Sequence, residues 1–172
     1  RIQSLSASLH RVACNLHRAL TASKKAACIL NSLGESYLTC SAYSTLGTIQ
    51  MGLGRFSSDF ESHEKAVSLS NKSRSVFLIS QALGNLCECL CRMGRLHEAI
   101  NIADRAIKYV SECNNPAINH AFNTIWAEIK IAAGDYRDAC RIIDQINKER
   151  SPNLALYALG HAKYVSACMN FL

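Results

Sequence analysis

Three short segments of this chain, Leu53-Gly54-Arg55-Phe56, Met93-Gly94-Arg95-Leu96 and Ala133-Gly134-Asp135-Tyr136, set a glycine between apolar flanks at intervals of 40 residues. A fixed period of roughly 20 to 50 residues means one supersecondary unit stacked on copies of itself, each too small to bury its own apolar face. The phase holds elsewhere in the unit. Seven residues before each glycine stand Gly47, Cys87 and Ala127, with Ala7 and Ala167 one period further out, so a small side chain recurs where two helices would cross closely. Five residues after each glycine come Asp59, Ala99 and Ala139, with Ala19 one period earlier, and seven further on come Ala26, Ala66, Ala106 and Ile146. Asp59 and Ile146 depart from the pattern, and looser or shifted helix packing is expected around them.

Between the glycines the apolar residues recur at helical spacing. Val76, Ile79, Leu83, Leu86, Leu90 and Met93 form one stripe, and Leu96, Ala99, Ile100, Ala103, Ile107 and Val110 form the next. Intervals of three and four put each set on one helix face, and no segment alternates with the period of two expected of a strand. These two stripes give helices at 75–93 and 96–112. The equivalent pairs are 36–53 with 57–71 and 117–133 with 136–148, preceded by 1–13 with 16–31 and followed by a last helix at 153–171. Pro116 and Pro152, the only prolines, fall where one pair passes to the next. The expected fold is all-α, an α-α solenoid of about nine helices in antiparallel pairs. It forms a single array over 1–172, with units near 1–34, 35–74, 75–114, 115–152 and, in part, 153–172. The chain starts at Arg1 without an initiating Met and ends at Leu172 just before the next glycine turn, which reads as a piece of a longer protein.

Glycine between paired helices has a local cause, because a chain leaving a helix commonly turns through a left-handed conformation that only glycine enters freely. Glycine inside a helix costs about 0.5–1 kcal/mol relative to alanine. Close backbone approach accounts for Gly47, at the small crossing position. Gly52, Gly84 and Gly160 have no such reason in the sequence.

The segments Leu83-Gly84-Asn85-Leu86-Cys87 and Met93-Gly94-Arg95-Leu96-His97-Glu98-Ala99-Ile100, followed by Ala103 and Ala106, resemble the tetratricopeptide repeat (TPR). The resemblance covers nearly the whole chain and is most specific over 80–113. The 40-residue period is similar to that of the long-helix members found in polarity adaptors, kinesin light chains and the sensor regions of large signalling ATPases. It implies a right-handed superhelix whose concave wall comes from the first helix of each pair. The repeat positions it assigns to packing are Gly47, Gly54, Cys87, Gly94, Ala99, Ala106, Ala127, Gly134 and Ala139.

Several chemistries are excluded by composition. Nineteen basic against 13 acidic residues give a formal charge of +6, but the two signs are interspersed and only twelve aromatics are present. A nucleic-acid surface would show a contiguous basic stripe with stacking aromatics, so no nucleic-acid partner is expected. No apolar run approaches the roughly 18 to 20 residues that span a bilayer. Nine cysteines, an odd number and mostly within helical patterns, indicate free thiols in a reducing, intracellular setting, the cytoplasm. Cys87 and Cys91, one turn apart, are the only pair that could share a metal ion, and they read instead as compact apolar residues, so no metal or cofactor is expected. His10, His17, His63, His97, His120 and His161 are scattered through different units, none with a nucleophile and carboxylate at helical spacing, and no phosphate-binding loop occurs. The chain is read as a non-enzyme.

Carried over from the family geometry, the concave wall comprises Ser4, Ser8 and Arg11, then Ser41, Ser44, Thr48 and Met51. It continues with Gln81, Gly84, Glu88, Cys91 and Arg92, then Ala121, Thr124, Glu128 and Ile131. Of these, Ser44, Thr48, Gln81, Glu88, Arg92, Thr124 and Glu128 are the candidate partner-binding residues. The lysine and asparagine set with which chaperone-binding members clamp a terminal carboxylate does not line up here. The expected function is an interaction scaffold holding a peptide or protein partner on the concave face. The alternative is a ligand-sensing regulatory module of a larger signalling ATPase or transcription regulator.

Overall fold

The computed structural model describes residues 15–148, which form seven α-helices and, among the described residues, no strand. They are α1 (Leu16–Ser32), α2 (Ser36–Gly52), α3 (Phe56–Ser73), α4 (Val76–Arg92), α5 (Leu96–Cys113), α6 (Pro116–Ala132) and α7 (Tyr136–Lys148). Every boundary lies within two residues of the one read from the glycine period and the apolar stripes. The expected helices at 1–13 and 153–171 fall outside the described residues, together with Ala7, Ala167, Gly160, Ser4, Ser8 and Arg11. The helix count is therefore seven among the described residues, against about nine expected for the whole chain.

Local chemistry sets the helix ends. Ser75 Oγ accepts from the Leu78 N–H at the start of α4, and Asn115 Oδ1 accepts from the Ala117 and Ile118 N–H groups at the start of α6. Such caps satisfy donors that the first turn leaves without a partner, and Pro116 at the first helical position lacks the N–H that would have none. After α4, Gly94 N–H donates to Cys91 O and Arg95 N–H to Leu90 O, each at 3.0 Å, and the same pair of bonds closes the turns at Gly54 and Gly134. This is the Schellman arrangement, which requires a left-handed residue at the glycine.

The turns also obey a shorter period than the sequence displays. Backbone φ is positive at Gly34, Gly54, Arg74, Gly94, Asn114 and Gly134, one residue in every 20. Each helix with its turn is thus the same length, and the 40-residue repeat is two such steps. Asn114 tolerates this conformation, whereas Arg74, at φ 53°, carries the steric penalty of a Cβ. Replacing Arg74 by glycine is expected to stabilise the fold by about 1 kcal/mol, read as a higher urea midpoint at unchanged slope.

Each helix packs on its sequence neighbours, and contact also runs from α2 to α4 and from α4 to α6. The alternate set α1, α3, α5 and α7 shows no such contact among the described residues. The first helices therefore form the close-set inner row, and the second helices fan apart outside it. Leu83, Leu86, Cys87 and Leu90 of α4 share one buried cluster with Ala99, Ala103 and Ala106 of α5 and Phe122, Ile125 and Ile129 of α6. Burying each large aliphatic side chain contributes about 1.5–3 kcal/mol, and the alanines let the helix backbones approach closely enough to do so.

At the equivalent place between α2 and α3 the volumes are redistributed. Asp59 and His63 stand where α5 has Ala99 and Ala103, and both are buried, with Asp59 Oδ1 2.9 Å from His63 Nε2. A Cβ on Gly47 would lie 2.6 Å from the His63 ring, so the imidazole fills space that Cys87 fills one unit later. Packing expected to be looser or shifted around Asp59 is rearranged and not loose, because the absent side chain of Gly47 accommodates the larger one of His63. Ile146 is likewise buried. Gly47→Ala is expected to destabilise by about 1–3 kcal/mol through overpacking. Adding His63→Ala and Asp59→Ala should recover most of that loss, because the interface then matches the α4–α5 one. A double-mutant cycle in thermal unfolding measures the coupling.

Candidate functional site

The inner row of α2, α4 and α6 is where side chains can reach a common partner, and the sequence-derived candidates divide there into three groups. Ser44 and Thr124 are buried, Thr124 to 1% exposure, and the Thr124 hydroxyl donates to His120 O of its own helix. These two pack beneath the wall instead of facing out from it. Thr48 is half-buried and spends its hydroxyl on Ser44 O at 3.0 Å. Glu88, Arg92 and Glu128 come together. Arg92 Nε and Nη2 lie 3.2 and 3.1 Å from Glu88 Oε1, with Arg92 41% exposed and Glu88 nearly covered. The Cys91 thiol beside them is pushed up first by burial and then by the Glu128 carboxylate, which puts Glu128 within electrostatic reach of the same turn.

Gln81 is exposed and belongs to a cavity of about 440 Å³ between α4 and α6. From α4 come Phe77, Ser80, Gln81, Gly84 and Asn85. Opposite them stand Asn115, the cap of α6, with Ile118, Ala121, Phe122 and Ile125. The volume lies within the range of roughly 300–1,000 Å³ typical of ligand pockets. No ionisable side chain lines it, and Phe77 remains 38% exposed. Phe77, Asn85, Asn115 and Ile118 were not among the expected binding residues. Their signal was present only in fragments: an aromatic on the first turn of α4 and a glycine in mid-helix without a packing reason.

Gly84 lines the cavity without a side chain of its own, where the residues one period away are Ser44 and Thr124. A Cβ there would meet only Phe122 Cδ2, at an ordinary 4.0 Å. Gly52, by comparison, has Leu16 Cδ1 at 3.3 Å from the position a Cβ would take. Gly84→Ala is therefore expected to raise stability by about 0.5–1 kcal/mol in chemical unfolding, the reverse of the effect at Gly47.

The thiols offer no reactive centre on this face. Cys28, Cys40, Cys87, Cys89, Cys91, Cys113 and Cys140 are free, and no cluster among the described residues has the make-up of a metal site. Burial pushes the Cys40 thiol up to about 11 and the Cys87 thiol to about 12 from an ordinary value of 9.0. Cys89 is raised by burial and by the neighbouring Asp59 carboxylate. A thiol whose folded value is raised contributes stability that is complete below the unfolded value and drains away as pH climbs toward the folded one. Stability should accordingly fall between pH 9 and about 12. At pH 8, a thiol reagent should label exposed Cys28 and Cys140 quickly and Cys40, Cys87 and Cys89 only on unfolding.

This geometry, paired helices with a close inner row, recurs in solved structures. A Rap protein complexed with Competence and Sporulation Factor superposes with a TM-score of 0.75 over 97% of this chain, at 20% identity. A Podosopora anserina putative kinesin light chain with nearly identical TPR-like repeats superposes with a TM-score of 0.72 over 99% of the chain, at 13% identity. The chain has the TPR-like helical repeat fold. It spans 44% of the Rap chain and 88% of the kinesin light chain repeat structure. In sequence it is 28% identical over 89 residues to outer dynein arm-docking complex subunit 4 of Xenopus laevis, a match covering 52% of this chain and 15% of that protein. No protein-family model matches the chain. Among the described residues, no helix is long and apolar enough to cross a membrane.

Proposed function

We propose that this TPR-like array is an interaction scaffold that holds a protein or peptide partner on the inner wall formed by α2, α4 and α6. The observation carrying this reading is the uncharged cavity between α4 and α6, open on that wall and bordered by exposed Phe77 and Gln81. The Glu88–Arg92 pair, one turn further along α4, supplies a polar margin. An apolar centre with a polar rim is the usual anatomy of a recognition surface. No ionisable side chain lines the cavity. The candidate contacts are Gln81, Glu88, Arg92 and Glu128, with Thr48 at the margin and Phe77, Asn85 and Ile118 added by the cavity.

The likeness to a Rap protein in complex with a factor favours one further reading, that the wall belongs to a ligand-sensing module of a larger signalling ATPase or transcription regulator. Both readings require the same surface. The immobilised chain is expected to retain a partner from an extract of its source organism. A wall variant, Phe77→Asp with Gln81→Arg, should retain at least about tenfold less, while an outer-face variant, Arg105→Glu with Lys108→Glu, retains it fully. Equal recovery on the wall variant would remove the inner wall as the binding face.

A further inference from the structure

Helix α3 is built differently from the helix one period later. Four of its six buried residues are polar, namely Asp59, Ser62, His63 and Ser70, whereas α5 buries Ala99, Ala103, Ala106 and Val110, all of them apolar. Position by position, Ser62 stands for Ile102, Ser70 for Val110, and Asp59 and His63 for two alanines. Each exchange replaces a side chain that burial favours by one that loses hydration on burial.

Those polar groups do little to fasten α3 to its neighbours. Ser62 Oγ lies 2.6 Å from the Gln50 carboxamide of α2, but Ser70 donates to Val67 O of its own helix. His63 Nε2 meets Asp59 Oδ1 at 2.9 Å, again within α3, and His63 Nδ1 has no hydrogen-bond partner among the described residues. A buried polar pair of this kind is a weak source of stability, and an unmade hydrogen bond beside it is a cost. At its C-terminal end α3 stops at Arg74, whose left-handed φ of 53° is relieved when the helix lets go. Segments with few buried apolar contacts open locally before the whole fold does.

Two buried thiols lie against α3, and a third does not. Cys40 of α2 donates to Ala66 O of α3 at 3.3 Å, and Cys89 of α4 is hydrogen-bonded to Asp59. Cys87, two residues from Cys89 and therefore on the far side of the same helix, packs in the cluster with Ala99, Ala103 and Ala106 of α5 and Ile125 and Ile129 of α6.

We infer that α3 is a hinge helix, which opens from α2 and α4 under native conditions while the cluster shared by α4, α5 and α6 stays closed. Opening uncovers Cys40 and Cys89 together and leaves Cys87 protected. With α3 released, the α1–α2 pair is joined to the rest of the array, among the described residues, through the contact between α2 and α4, and the two parts turn about it.

The test is alkylation of the 172-residue chain with iodoacetamide at about pH 8 in urea below the unfolding midpoint. Each cysteine is followed by peptide mass spectrometry, and its rate is normalised to that in the urea-unfolded chain. Cys40 and Cys89 should label at one common rate, at least about tenfold faster than Cys87. Two glycine substitutions at exposed helix positions, which leave the buried contacts intact, separate local from global opening. Lys65→Gly on α3 should speed all three thiols a few-fold, because global unfolding includes α3. Lys108→Gly on α5 should speed Cys87 a few-fold and leave Cys40 and Cys89 unchanged. One rate for all three thiols, faster labelling of Cys87, or an effect of Lys108→Gly on all three would overturn the hinge. Labelling of Cys89 without Cys40 would overturn it as well, because α3 would then have stayed on α2.

Discussion

The closest crossing within each helix pair is the contact on which the rest of this molecule depends. A solenoid has no central core, so each pair must close tightly on itself before it can offer a flat enough face to its neighbours. Between α4 and α5, closure is achieved by Cys87 against a surface of alanines in one buried cluster. Between α6 and α7, Ala127 packs in a cluster with Ile143. Between α2 and α3, Gly47 faces His63. The individual residues differ widely, but at each crossing a small residue meets a larger one. If any pair were wedged apart, the inner row would lose its spacing, and the cavity between α4 and α6 would change shape with it.

The Asp59–His63 pair shows how far that volume rule can be taken. A buried polar pair is a poor source of stability compared with apolar residues of similar size, because both groups give up hydration. Here it stands where the following units use alanine or isoleucine, and its carboxylate lies near enough to Cys89 to help keep that thiol protonated. Asp59 thus links the α2–α3 pair to the α4–α5 pair through a polar contact with Cys89. Arg95, oriented by two hydrogen bonds of 2.7 Å to Glu98, stacks 4.4 Å from the Phe60 ring centroid and so also links the two units.

Particular elements mark where the sequence was readable. Helix ends were legible because their causes are local: a cap such as Ser75 or Asn115, a proline at 116, a glycine at the turn. The apolar stripes on α4 and α5 were legible because three- and four-residue spacing is enforced by the helix itself. The proposed wall was only half legible. Gln81 lines the cavity and Glu88 pairs with Arg92, but Ser44 and Thr124 are buried. A helical wheel gives the face a residue points to, and it does not say whether another helix lies over that face. Phe77, Ile118 and Asn115 escaped for the same reason, since they border one cavity only after two helices some 40 residues apart are set side by side.

From residue order alone follow the period, the all-helical character, the element boundaries and the small residues at the crossings, all of which arise from interactions within a turn or two of chain. Tertiary structure alone decides the left-handed backbone at Arg74, the fit of His63 over Gly47 and the empty space at Gly84. Each of these is a remainder of volume or conformation left when separate helices are brought together. Such remainders depend on side chains far apart in the chain, and nothing in the local pattern of either helix records them.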